Sequence, residues 1–283
     1  MTQWFDEDDA ADLIIRFQVE REIHREKSPF QDLVIFDHKR FGRTLALDGI
    51  VQTTEADECA YHEMIAQVPL LAHGAAERVL VIGGGDGGTL REVFKHPVEK
   101  VTLVELDERV VVCCREHLPA LADGAFEEPR LEMRFEDGVK FMAESQESFD
   151  LILVDSTDPL PGPGEVLFTE SFYADCKRRL NPGGIVISQL GMPFLYPEAV
   201  AKAGRNLKSV FADVTFYIVA VPVFAGGYMA FSWASDDPAL RQVPEAKLAE
   251  RHQALGLKTR FYTPAFHRAA FALPADIAAL VPT

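Results

Sequence analysis

The chain is poor in cysteine and in basic residues, and it contains no long apolar run. Its four cysteines, Cys59, Cys113, Cys114 and Cys176, form no C-x-x-C pair and no zinc-ligand spacing, which argues against a disulfide framework or a metal site written into one motif. No stretch approaches membrane-spanning length, so no membrane partner is expected. The opening MTQWFDEDDAAD lacks the basic and apolar segments of a secretory leader, and a reducing, cytoplasmic setting is expected. Only 28 Lys and Arg stand against 44 Asp and Glu, a formal net charge of -16. Such a field disfavours nucleic acid and anionic surfaces and favours small cations as ligands.

What is present is ordinary for a globular enzyme: 283 residues, 48% hydrophobic and 25% charged, enough for one large domain with a small appendage. LIIRFQVEREIH, QDLVIFD, RTLALDG and IVQTT read as strands of a small antiparallel sheet, with turns at Ser28-Pro29, His38 to Arg40 and Asp48-Gly49. From Asp57 the period changes, and Ala60, Tyr61, Met64, Ile65, Val68 and Leu71 recur at helical spacing, with Pro69 near a kink or the end. Strand-like VLVIG, VTLVELD, LEMRF, FDLILVD and GIVISQL then alternate with helical LREVFKH, ERVVVCCREHLPAL, GVKFMAES and ESFYADCKRRL, the pattern of an α/β doubly wound parallel sheet. VTFYIVAVPV and YMAFSWAS, joined through FAGG, read as antiparallel strands at its edge. The expected division is a β-strand domain over residues 1–56 and an α/β domain over 57–283.

In VLVIGGGDGG, Gly83, Gly85 and Gly88 satisfy G-x-G-x-x-G, the loop that holds a nucleotide between a strand and a helix. Asp86 sits inside that loop. A fixed carboxylate repels a pyrophosphate, so a dehydrogenase is disfavoured and a ligand that is cationic near the loop is favoured. Ligands of parallel sheets bind at the carboxyl ends of the strands, and here those ends carry acids. Glu105 lies seventeen residues beyond Gly88, near the spacing of an acid that bonds ribose hydroxyls. Asp137 suits either an adenine amino group or a helix N-cap before GVKFM. Asp155 closes the apolar strand FDLILVD, where a merely solvated turn is unexpected. The D-x-x-D of Asp155 and Asp158 fits an amine better than a divalent cation, because no further ligand stands beside it. Tyr61 by its spacing is a core aromatic, and His62 beside it, read alone, is a structural histidine.

These motifs, together with FQDLVIFD, LALDGIVQTTEADE, AYHEMIA, GEVLFTESFY and FYTPAFHRAAFALP, follow one another along nearly the whole chain. In that order they resemble the polyamine aminopropyltransferases, the spermidine synthases in particular. The resemblance implies a small amino-terminal β domain on a methyltransferase-like Rossmann domain, assembled as a homodimer or homotetramer. It implies transfer of the aminopropyl group of decarboxylated S-adenosylmethionine, a co-substrate, to putrescine, giving spermidine and methylthioadenosine, with no metal and no bound redox cofactor. By motif, Gln31, Gln52, Asp86, Glu105 and Asp137 with Gly138 would contact the donor: Asp86 its ammonium, Glu105 its ribose, Asp137 its adenine. Asp155 would be the general base, with Tyr61, His62, Asp158, Gln189 and Phe224 around the acceptor. The stretch from Pro159 to Glu165, rich in proline and glycine, would serve as a gate or a rigid turn.

Three departures from the family pattern bear on the acceptor, the variable Met192-Pro193 among them. Phe224 stands where the family has tyrosine, and Leu190 stands where close bacterial members have asparagine. A more apolar pocket follows, open to cadaverine or a longer polyamine. The rivals are an S-adenosylmethionine-dependent methyltransferase, whose donor carboxylate Asp86 would repel, and a catalytically silent homologue that binds polyamine or nucleoside.

Overall fold

In the computed structural model, which describes residues 3–9, 13–160 and 163–283, the acidic opening of the chain is itself a strand. β1 (Gln3–Asp9) pairs antiparallel with β2 (Leu13–Val19), and the Arg16 guanidinium bonds Asp6 directly opposite at 2.7 and 2.8 Å. Cross-strand pairing of opposite charges offsets the low strand propensity of the acids. Glu7 turns inward and accepts from Val51 N at 2.8 Å. The run LIIRFQVEREIH then divides. β2 stops at Val19, and β3 (Arg21–Lys27) joins a second sheet with β4 (Asp32–His38), β5 (Gly42–Leu47) and β6 (Ile50–Thr54). Two small sheets therefore replace the single one expected, because Phe17, Val19 and Ile23 keep the alternation across the break and nothing in the period marks it.

α1 (Glu58–His73) runs through Pro69 for another turn. It closes at Gly74, whose φ of 76° suits glycine and whose N–H bonds Leu70 O at 2.8 Å. Burial of most of the helix outweighs the one hydrogen bond that the proline removes. The chain continues through β7 (Arg78–Gly83), α2 (Gly88–Phe94), β8 (Lys100–Glu105), α3 (Glu108–His117) and α4 (Pro119–Ala122). ERVVVCCREHLPAL is thus two helices, since Pro119 bars the helical conformation at Leu118 and opens α4 itself. Next come β9 (Leu131–Phe135), α5 (Gly138–Glu144), β10 (Phe149–Asp155), α6 (Glu170–Arg179) and β11 (Leu180–Gln189). α7 (Pro197–Lys208), β12 (Asp213–Val219), β13 (Met229–Ser235), α8 (Glu245–Ala254), α9 (Pro264–Ala270) and α10 (Ala275–Ala278) follow.

The large sheet has seven strands in the order β12-β13-β11-β10-β7-β8-β9. The run from β11 to β9 is parallel, and β13 and β12 add an antiparallel edge. Alternate residues feed two cores: Val79, Val81, Leu151 and Leu153 pack with α1 and α2, whereas Leu80, Ile82, Ile152 and Val154 pack with α5, α6 and α7. The second amino-terminal sheet docks on α3, where Leu33, Ile35 and Leu45 meet Val110, Cys114 and Leu118. Among the described residues no helix is long and apolar enough to cross a membrane.

Candidate active site

β8 and β9 lie on one side of β7, and β10 and β11 on the other, so the winding reverses between β7 and β10. A crevice opens at such a point beyond the strand ends. The register puts Asp155 beside Gly83. Gly83 has a φ of 78°, and a Cβ there would strike the Asp155 carbonyl oxygen, which accepts instead from Gly84 N at 2.8 Å. A Cβ on Gly85 would lie 2.9 Å from Glu105 Oε2. The glycine loop therefore rests directly on two of the acids singled out in the sequence.

Asp155 is held on both oxygens. Tyr61 Oη donates to Oδ1 and Thr89 Oγ1 to Oδ2, each at 2.6 Å. Burial and then the charge of Asp86 raise its pKa above the ordinary carboxylate value, against the pull of His62 and the two hydroxyls. Burial, followed by the charge of Asp155, pushes the Tyr61 phenol well above its usual pKa, so it remains a donor. The Tyr61 ring packs on Phe231 with centroids 5.1 Å apart, which fixes the direction of the hydroxyl.

Asp86 belongs to a second cluster. Its Oδ1 accepts from Gly88 N at 2.7 Å, and its Oδ2 lies 3.2 Å from His62 Nε2. The other ring nitrogen of His62 meets Glu58 Oε2 at 2.8 Å, one helical turn earlier on α1. Burial works against a charge on His62, but Asp86 and Glu58 overcome it and raise its pKa to about 10. The ring is therefore an imidazolium at neutral pH. Burial likewise opposes ionisation of Asp86, and His62 more than compensates, leaving its pKa lowered. Glu58 is further bound by Arg91 Nη2 at 2.7 Å and Arg260 Nη1 at 3.3 Å.

The remaining residues divide. Burial raises the pKa of Glu105 to about 7, although Asp107 N donates to its Oε1 at 2.9 Å. Gln189 reaches Asp158 Oδ1 at 2.7 Å and Ser156 O at 2.8 Å, and its own carbonyl accepts from Gly191 N. Asp137 caps α5, accepting from Val139 N at 2.7 Å, so the N-cap role is present; Gly138 behind it packs on Ile82. Gln31 donates to Asp107 Oδ2 at 2.9 Å, beside the end of β8, and Gln52 donates to Ile50 O at 3.1 Å. Phe224 is half-buried against the core on the α1 side. His62, grouped with the acceptor residues in the sequence, stands against Asp86.

One expectation is corrected. Leu190 is fully buried in the α6 and α7 core with Ile82 and Tyr173, because consecutive residues at the end of a strand point to opposite faces. It brings no apolar surface to the crevice that Gln189 faces. Pro161 and Gly162, in the expected gate, lie outside the described residues. Sequence reasoning missed Thr89, although it directly follows the glycine loop, and Glu58, although its i,i+4 spacing to His62 is visible in ECAYH.

Comparison with known proteins identifies the family. Residues 3–55 match the family described as spermidine synthase tetramerisation domain, and residues 58–244 match the spermine/spermidine synthase domain. Polyamine aminopropyltransferase 1 of Pseudomonas aeruginosa is 51% identical over 260 residues, covering 92% of this chain and 91% of its own. The polyamine aminopropyltransferase of Sodalis glossinidius is 52% identical over 259 residues, covering 91% of this chain and 90% of its own. A spermidine synthase in complex with the transition state analogue AdoDATO superposes with a TM-score of 0.92 at 34% identity, over 99% of this chain and 94% of its own. That of Thermotoga maritima gives 0.90 at 32% identity, over the same 99% and 94%. With both family regions in order and relatives alike over nine-tenths of its length, this chain belongs to the spermidine synthase family of polyamine aminopropyltransferases.

Proposed function

We propose that the chain transfers the aminopropyl group of decarboxylated S-adenosylmethionine to putrescine, forming spermidine and methylthioadenosine. The observation that carries this reading is a pair of acids at the glycine loop: Asp155, bonded by Tyr61 and Thr89, and Asp86, balanced by His62. An aliphatic amine has a pKa of roughly 10, like lysine, so its nitrogen must lose a proton before it can attack. Asp155, with its raised pKa, orients the amine and accepts that proton. The amine nitrogen then bonds the carbon next to the sulfonium, the carbon–sulfur bond breaks, and its electron pair neutralises the sulfur. The leaving group needs no acid, so alignment of the two substrates supplies much of the rate.

In this reading Asp86 and His62 face the amine end of the donor, Glu105 takes the ribose hydroxyls and Asp137 the adenine edge, with Gln31 and Gln52 beside them. Asp158, steadied by Gln189, pairs with the far ammonium of the diamine. Phe224 carries no phenol, which favours some tolerance of a longer diamine such as cadaverine. The match of residues 3–55 to a tetramerisation domain supports a homodimer or homotetramer built through the amino-terminal sheets.

Incubation with decarboxylated S-adenosylmethionine and, in turn, putrescine, cadaverine and spermidine, read by mass spectrometry, tests the reaction. An aminopropylated product from putrescine is expected. Methyl transfer from intact S-adenosylmethionine, or no product with any amine, would overturn it.

A further inference from the structure

A second constellation lies at the seam between the amino-terminal sheet and α3. His24 and Glu26 are two apart on β3 and share a face, and Cys113 projects toward them from α3. One ligand atom from each falls within 4.8 Å of the others. His24 Nε2 is 3.0 Å from Glu26 Oε2, and the His117 ring, one turn beyond Cys113, packs against His24 at a tilt of 30° with centroids 4.8 Å apart.

Arg109 marks where positive charge belongs in this cluster. Its Nε bonds Glu26 Oε1 at 2.7 Å and its Nη2 bonds Oε2 at 2.8 Å, while the same Nη2 stands 4.0 Å from Cys113 Sγ. A cationic group thus already stands between the carboxylate and the sulfur. Arg109 is close to half exposed, so it can withdraw Nη2 and keep the Nε bond to Oε1.

We propose that His24, Glu26 and Cys113 bind a borderline-soft divalent cation of the Zn2+ type, which cross-links the amino-terminal sheet to the catalytic domain. Nitrogen, oxygen and sulfur ligands together suit Zn2+ better than Mg2+ or Ca2+, and water completes the tetrahedron. On binding, Glu26 Oε2 exchanges the guanidinium for the metal, and the Cys113 thiol gives its proton to solvent as the sulfur–metal bond forms. Arg109, still on Oε1, becomes the outer partner that orients the carboxylate. Spacing rules miss the set because its members come from positions 24, 26 and 113.

Titration of the untagged, metal-free protein with Co2+ under reducing conditions tests the site, followed by displacement with Zn2+. One Co2+ per chain is expected, with a thiolate-to-cobalt charge-transfer band. Cys113→Ser removes that band while leaving Cys59, Cys114 and Cys176 in place, and His24→Ala weakens binding at least tenfold. Circular dichroism confirms that each variant is folded. Absence of the band from the wild type, or its persistence in Cys113→Ser, overturns the proposal.

Discussion

The Tyr61 hydroxyl reaches Asp155 Oδ1 at 2.6 Å although 94 residues separate the two in the chain. Tyr61 is on the buried helix that joins the amino-terminal strands to the large sheet, and Asp155 closes a strand in which Leu151 to Val154 are apolar and buried. The same carboxylate is bonded by Thr89 from the start of α2. Three elements therefore converge on one acid, and each is held by its own core packing rather than by a loop.

Asp155→Asn tests the base directly. The amide keeps the size of the carboxylate, and the Tyr61 and Thr89 hydroxyls can rotate to suit it, but it accepts no proton from an amine. The expected result is a fall in kcat of about a thousandfold, with methylthioadenosine affinity by calorimetry close to that of the wild type. Turnover like that of the wild type would remove Asp155 from the mechanism.

Glu105 gives the free protein a pH dependence with a definite sign. Burial raises its pKa from 4.5 to about 7, so the folded state holds this proton more tightly than the unfolded chain does. Its contribution to stability is complete below the unfolded value and is lost as the pH rises through about 7. Glu105→Gln is expected to gain about 3 kcal/mol at mildly alkaline pH and much less near pH 5, measured by denaturant midpoints. Ribose hydroxyls donate to the ionised acid, so wild-type nucleoside affinity should also fall as the pH drops below about 7. A pH-independent affinity would contradict the assigned contact.

His62 has the same sign in a higher window. Its folded pKa is raised from 6.5 to about 10, so its stabilisation is fully present below the unfolded value and disappears as the pH rises through about 10. His62→Gln leaves Asp86 and Glu58 without their shared cation and is expected to cost about 3 kcal/mol at neutral pH. The difference from the wild type should shrink as the pH climbs toward 10. A gap that stays constant across that range would mean that His62 acts by packing and not by charge.

Asp86, Glu105 and Asp155 were legible because each ends or follows an apolar run that could only be a buried strand, and strand ends in a parallel sheet share one edge. Partners were harder to read. The spacing of Glu58 and His62 is visible, but the Asp86 side chain reaches them from a glycine loop whose path periodicity does not describe. Leu190 was misread because only the exact strand register decides which of two neighbouring residues faces the crevice. β1 was hidden by its acids, which Arg16 neutralises from the opposite strand. Sequence patterns report local periods, whereas these contacts depend on long-range pairing.

Phe224 offers the sharpest test of acceptor choice. Its turn is anchored: Val223 N donates to Asp57 Oδ2 at 2.7 Å, and Asp57, immediately before α1, also accepts from Thr54 Oγ1 at 2.6 Å. The turn therefore moves with the helix that carries Tyr61, and the Phe224 ring packs, half-buried, against the same core as Tyr61. Phe224→Tyr adds only a hydroxyl at the ring's outer end. If that end faces the diamine, the new hydroxyl contributes about 1 kcal/mol to a short acceptor that reaches it in register, roughly a fivefold lower KM for putrescine. Cadaverine, one methylene longer, should gain less, and kcat and methylthioadenosine affinity should not move. KM values for both diamines decide the matter: an unchanged ratio would place Phe224 outside the acceptor site and leave its ring a packing residue.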